Sequence, residues 1–356
     1  LRKSRPSSTA DLKWTGVGDG IGRRYQGKQE TTMTAENRTT EASSRIRARQ
    51  REFVIGYVLV GIGAAMFSSK AILVKIAYAE AADAAMLLAL RMLFALPVFA
   101  AIGIAALLRR RAEAKPMPDT KTVAAAILSG FIGYYLAAIL DFEALTYITA
   151  QLERLVLFSY PLFVMILGAF FFGKPMTLSG TIGAIITYGG LALVFQRGLE
   201  IGGYGSAIGT LLVLGAALSF AIYQLLAKGF IAKMGSILFT SVAMAAASLA
   251  SILHYLALSG SFAFPVSAEF IGIAAVLAFF ATVLPSFLVN AGLARIGPQA
   301  TAMISTLSPL ITIILAVEIL GEPFTLLDAL GTVLVIAGVG YYTWTDMRAQ
   351  RMVTGE

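Results

Sequence analysis

Ionisable residues lie inside or at the edges of long apolar stretches of this 356-residue chain, among them Lys70, Arg91, Asp141, Glu143, Glu153 and Arg154 in the first half. A charge in hydrocarbon is costly, so such groups pair with one another or line a polar cavity, which makes them the default functional candidates. At a rise of 1.5 Å per helical residue, Lys70 and Arg91 each lie about 10 Å inside the outer ends of the first two stretches. Asp141 and Glu143 end the third stretch, and Glu153 and Arg154 begin the fourth from the same side. The chemistry expected is ionic: Lys70 and Arg91 reach a cavity, neutralised by Asp141 or Glu153 when it is empty and available to an anionic substrate group, such as a carboxylate, when it is loaded. The competing reading is a static lattice of charge pairs tying the first four helices together, with Arg91 or Arg154 snorkelling to the interface. Glu153 and Arg154, adjacent on one helix, are expected to need separate partners.

The second half offers uncharged polar groups, Gln224, Asn290, Ser305, Thr306 and Ser308, which either contact substrate or satisfy neighbouring helices. Tyr160 is a candidate for the cavity wall, with ordinary packing as the alternative. Glu318 and His254 fall near outer helix ends and read as interfacial. Enzymatic chemistry has little to work with. There is no cysteine and only one histidine, so thiol nucleophiles, thiolate metal sites and imidazole clusters are excluded. No His-Glu-x-x-His or Gly-x-Ser-x-Gly pattern occurs, and no Gly-x-x-x-x-Gly-Lys is completed by the Ser or Thr that a nucleotide-binding loop requires. No enzyme activity, metal or cofactor is expected.

The elements that must position these residues are membrane helices. Hydrophobic residues make up 58% of the chain and charged ones 13%, half the charge of a soluble domain. About 20 apolar residues cross a bilayer, and windows of that size give spans near 53–77, 85–108, 122–142, 150–172 and 177–196, then 204–227, 236–258, 268–291, 298–320 and 324–344. Residues 1–52 form a basic polar tail, expected to be disordered, with 12 Lys/Arg against 6 Asp/Glu. Within it Met33 is the first methionine, and residues 1–32 are a segment that start-site choice could have added. The first span follows this polar tail and is long enough to cross, so it reads as a signal anchor. Residues 345–356 form a short C-terminal tail.

Basic residues cluster on alternate connections: Arg109, Arg110, Arg111, Lys115, Lys121, Lys174, Lys228, Lys233, Arg295, Arg348 and Arg351 on one side, Arg197 alone on the other. The positive-inside rule then predicts cytoplasmic N- and C-termini and an even number of spans. Arg45, Arg47, Arg49 and Arg51, just ahead of the first span, add to that signal through anionic lipid headgroups. The tail lacks spaced stacking aromatics, so a nucleic-acid partner is not expected.

A shift of 148 residues aligns 147–196 with 295–344 without a gap, and 12 of 50 positions match. The matches include Gln151 with Gln299, Pro161-Leu162 with Pro309-Leu310, Gly173 and Pro175 with Gly321 and Pro323, Gly183 with Gly331, and Gly190 with Gly338. Five spans per copy is an odd number, so the second copy must enter the membrane from the opposite side. The predicted fold class is therefore an all-α membrane protein of ten transmembrane helices in two inverted five-helix repeats, 53–196 and 204–344. Such repeats are a recurrent plan of secondary transporters. Pro161 and Pro309, at equivalent places in the fourth and ninth spans, are the hinge candidates.

The segment Leu140-Asp141-Phe142, Tyr147-Ile148, Leu152-Glu153-Arg154 and Ser159-Tyr160-Pro161, with Ser308-Pro309-Leu310 and Gly321-Glu322-Pro323 in the second half, resembles the drug/metabolite transporter superfamily, in particular its ten-span EamA-type members. The first copy departs from the Gly-Glu pattern by carrying Lys174. The resemblance implies a central cavity, alternating access, and export of amino acids or related small metabolites across a bacterial inner membrane. It implies a small-molecule substrate and the bilayer as partners, with protons or a counter-substrate for coupling and a homodimer as an oligomeric option. The rival readings are an intramembrane enzyme and a non-transporting scaffold or receptor component.

Overall fold

In lipid every backbone donor and acceptor must find its partner within the segment, which leaves helices as the solution for long apolar windows. The computed structural model describes residues 50–81, 83–172, 178–305 and 307–354, and these form helices with no strand among them. The chain divides into two compact units, Leu1–Phe53 and Val54–Glu356. All tertiary contacts below lie within the second.

Eight helices among the described residues are long and apolar enough to cross a membrane. They are α1 Gln50–Tyr78, α2 Ala84–Ala112, α3 Thr120–Tyr147, α4 Ala150–Phe171, α5 Leu178–Gln196, α6 Gly203–Met234, α7 Ser236–Ser259 and α8 Ala268–Gly297. Two shorter apolar helices follow, α9 Leu307–Leu320 and α10 Leu326–Tyr342. The sequence predicts a ninth span over 298–320. Residues 298–305 are helical past a kink at Gly297 (φ 79°), and Leu307–Leu320 are helical as α9; Thr306 lies outside the described residues, as do Gly173 to Thr177.

Local sequence sets the helix starts. Asp83, Asp119, Thr149 and Ser267 each accept from the backbone N–H three residues on, satisfying donors that a helix N-terminus leaves free. Helix α4 is broken after Leu157 and resumes at Tyr160. Pro161 cannot donate to the Leu157 carbonyl, and it is accommodated in the first turn of the second piece. Helix α1 loosens at Ser69, whose hydroxyl bonds back to the Met66 carbonyl at 2.8 Å.

Two π-helical turns interrupt otherwise α-helical spans: Phe131–Leu136 in α3 and Phe279–Val283 in α8. Their first residues are 148 positions apart, the offset of the sequence repeat. In α8 the turn precedes Pro285, and Thr282 takes up the Leu277 carbonyl at 2.9 Å. Such turns are rare, and they gather at functional sites.

Helix pairing follows the same offset. A side chain at Gly183 would stand 2.8 Å from the Gly338 carbonyl, and one at Gly190 would stand 2.7 Å from that of Gly331. Here α5 and α10 touch backbone to backbone, and only glycine permits the approach. Because 183 meets 338 while 190 meets 331, the two helices run antiparallel. The α1 and α8 pair does likewise, Gly63 facing Val289 while Val60 faces Gly292. Its counterpart is the α6 and α3 pair, where Gly209 lies against Ala144 and Tyr223 against Gly133.

Candidate functional site

Lys70, at the start of the second segment of α1, forms an ion pair with Asp141 of α3 and lies 3.5 Å from Glu153 of α4. Arg154 donates to the Phe67 carbonyl at 2.9 Å, beside the loosened turn of α1. Contrary to expectation, Arg154 also approaches its neighbour Glu153, Nε to Oε2 at 3.9 Å. Adjacent helical residues diverge by about 100°, yet both chains are long enough to fold toward one polar centre. Glu153 is fully buried, and Asp141 and Arg154 nearly so.

Arg91 of α2 is 4% exposed and does not snorkel. Its guanidinium carbon lies 4.5 Å from the centroid of the Phe142 ring. No carboxylate among the described residues pairs with it within 4 Å, and its Nε has no hydrogen-bond partner. The cluster therefore brings three cations, Lys70, Arg91 and Arg154, against two carboxylates, Asp141 and Glu153.

Lys70, Arg91, Asp141 and Arg154 border a cavity of about 170 Å³, where a liquid water takes about 30 Å³. The space suits several waters or a molecule of amino-acid size. Its wall is largely apolar, with few polar groups, as ligand sites usually are. Residues 148 apart in sequence face it together: Tyr134 with Thr282, Asp141 with Val289, Leu157 with Ser305, Tyr160 with Ser308. Both π turns thus contribute to the same wall.

Of the sequence-predicted cavity residues, Lys70, Arg91, Tyr160, Gln224 and Ser305 line this space, as do Ser308 and the charge-pair candidates Asp141 and Arg154. Asn290 does not. Its amide donates to Tyr134 at 3.2 Å and Thr240 at 2.9 Å and accepts from Tyr223 at 3.3 Å, which commits it behind the wall. Glu143 also stands apart from the charge cluster, lining a separate depression with Asp83 and His254. Two residues along a helix turn about 200°, so it faces away from Asp141. Pro161 is buried in the first turn of the second segment of α4, and Pro309 is buried within helical residues of α9. Ser308 is bonded to Ser68 of α1, Oγ to Oγ at 2.8 Å, and Thr312 donates to the Ser68 carbonyl at 3.0 Å.

Sequence reasoning missed Tyr134, Phe67, Phe158, Phe220 and Ser286, which also line the cavity. The signal available for Tyr134 was a tyrosine beside a glycine in mid-span. The phenylalanines carried none, because aromatic residues are abundant throughout. Polar contacts also join the halves at the helix ends. Glu322, between α9 and α10, accepts from the Ala150 and Gln151 amides at the α4 N-terminus at 2.8 and 3.2 Å. Glu80, after α1, accepts from the Ser267 amide and hydroxyl at the α8 N-terminus, and these donors hold its carboxyl below the usual range. At the opposite end Arg110 donates to the Lys233 and Met234 carbonyls, both at 3.0 Å, where α6 finishes.

A multi-pass helical membrane protein with a largely apolar cavity, edged by a charge cluster, among kinked helices is consistent with a transporter. The EamA-like transporter family matches the chain twice, over residues 54–196 and 207–344, and the chain belongs to that family, within the drug/metabolite transporter superfamily. It is 30% identical to the uncharacterized transporter YcbK of Bacillus subtilis (strain 168), over 87% of this chain and 98% of that protein. Identity with the uncharacterized transporter YyaM of the same organism is 28%, over 62% and 72% of the two chains. A solved crystal structure shares the fold with a TM-score of 0.58 at 19% identity, covering 84% of this chain and 97% of that one.

Proposed function

We propose that the chain is a secondary transporter of a bacterial inner membrane, exporting amino acids or related small metabolites by alternating access. In this reading it has ten spans in two inverted five-helix repeats, residues 53–196 and 204–344, with α9 and α10 completing the set and both termini cytoplasmic. The observation that carries it is the cavity walled by pairs of residues 148 apart, beside antiparallel contacts between the equivalent helices α5 and α10. Two halves related by an axis in the membrane plane can exchange conformations around a fixed central site. The carboxylate contacts of Glu80 and Glu322 at one end, and the Arg110 contacts at the other, join the two halves where such an exchange must open one side at a time.

Flux of labelled metabolites from proteoliposomes tests this. Protein-dependent movement of at least one intact amino acid or related metabolite is the expected result. Chemical conversion would favour an intramembrane enzyme, binding without flux a scaffold, and either overturns the proposal. An imposed proton gradient or external unlabelled substrate identifies the coupling. Because the chain has no cysteine, single cysteines at Lys115 and Ala263 report sidedness, and labelling of both from the same face would refute the topology.

A further inference from the structure

We propose that Arg91 is the docking point for a carboxylate on the transported molecule, so that the cavity selects carboxylate-bearing substrates with an apolar body. This rests on the transporter reading and names the substrate class of the same site.

The three cations of the cluster are not equivalent. Lys70 is held by Asp141 and lies near Glu153, and Arg154 donates to the Phe67 carbonyl and lies near Glu153. Arg91 lines the cavity, is more than nine-tenths buried, and has no carboxylate within 4 Å among the described residues. Its guanidinium carbon stands over the Phe142 ring, 4.5 Å from the centroid. A ring attracts the charge but offers no lone-pair acceptor to the N–H donors, and Nε has no hydrogen-bond partner. The planar guanidinium fork matches a carboxylate with two parallel hydrogen bonds. A monoanion placed there would answer the one cation of the cluster that has no carboxylate within 4 Å among the described residues.

The remaining wall decides the body of the molecule. Phe67, Phe158, Phe220 and Met92 face the same cavity, and they offer apolar contact to whatever is attached to the carboxylate. Val289, the 148-residue counterpart of Asp141, adds no charge on the opposite side. The recognition is therefore one-sided: a charged head toward α2 and an apolar remainder against the rings.

The test uses the purified full chain and three probes of equal size: 3-phenylpropanoate, its neutral amide, and 3-phenylpropylamine. Thermal stabilisation and competition against flux of a transported panel metabolite are read for each. The carboxylate is expected to bind at least about tenfold more tightly than the amide or the amine. Arg91→Gln should abolish that preference, and Arg91→Lys should retain part of it. If Arg91→Gln fails to fold, discrimination between acid and amide by the native chain still decides. Equal binding of acid and amide by the native protein, or an acid preference that survives in folded Arg91→Gln, overturns the assignment. Flux with no carboxylate preference would sink the Arg91 proposal alone. A carboxylate preference dependent on Arg91 with no flux of any panel compound would instead sink the transporter reading.

Discussion

On the first half's side of the cavity stand Lys70, Arg91, Asp141 and Arg154, and on the second half's side Val289, Thr301, Ser305 and Ser308. The backbones that present them correspond, down to π turns 148 residues apart, while their chemistry does not. Asp141 is answered by Val289, and buried Glu153 by Thr301. The way each side is satisfied differs too. Lys70, Asp141 and Arg154 find partners on other helices, joining α1 to α3 and α4. Thr301 and Ser305 bond back to carbonyls of their own helix, at 2.8 and 2.9 Å. A group satisfied within its helix can be lost cheaply, and one satisfied across helices cannot. In the proposed transporter reading, the duplicated frame supplies the symmetry for alternating access, and the unequal substitution of its two walls supplies a polar end for one substrate.

The largest effect that tests this contrast is expected at Lys70. Lys70→Ala leaves Asp141 as a buried carboxylate without its ion-pair partner, at a cost of about 3–5 kcal/mol. Thermal unfolding in lipid nanodiscs measures it, and a loss below about 1 kcal/mol would erase the difference between the two walls. Asn290 comes next: Asn290→Ala strips partners from Tyr134, Tyr223 and Thr240, and about 1–3 kcal/mol should go in the same assay. Glu322→Ala removes the carboxylate that receives two α4 amides, with an expected loss of about 0.5–2 kcal/mol. Faster hydrogen exchange at Ala150 and Gln151 would accompany it. Ser305→Ala should stay within about 0.5 kcal/mol, and flux near the native rate would agree with a wall that only fills space.

The smallest effect is a pH dependence. Donors from Ser267 hold the Glu80 carboxyl below its ordinary range, so the stability from this contact is present above the unfolded carboxylate value and is lost as pH falls through the lowered one. Comparing native protein with Glu80→Gln from neutral pH down into the acid range should show an acid step in the first that is absent from the second. Identical profiles would remove Glu80 from the set of contacts that hold the halves together.

Much of the architecture was legible because lipid leaves the chain few choices. Apolar windows, alternating basic loops and the 148-residue repeat define helices from residue types alone, and ionisable residues stand out wherever they enter a window. The matched glycines, too, could be read as packing faces. Their partners could not: that Gly183 meets Gly338, and not the matched Gly331, follows only when α5 and α10 are brought together antiparallel.

At the site, depth along each helix was readable and azimuth was not. Lys70, Arg91, Asp141 and Glu153 were expected in one layer, and they share one cluster. Glu143, two residues from Asp141, was grouped with it by depth but faces elsewhere. The π turns in α3 and α8 shift that azimuth further, and no residue pattern in Phe131–Leu136 announces one. Sequence alone therefore marked the apolar helical segments, the ionisable residues within them and the 148-residue repeat, because hydrophobicity and charge act on each residue separately. Which cation is left without a carboxylate was decided by tertiary structure. That outcome depends on distances among side chains from four helices, which no single helix encodes.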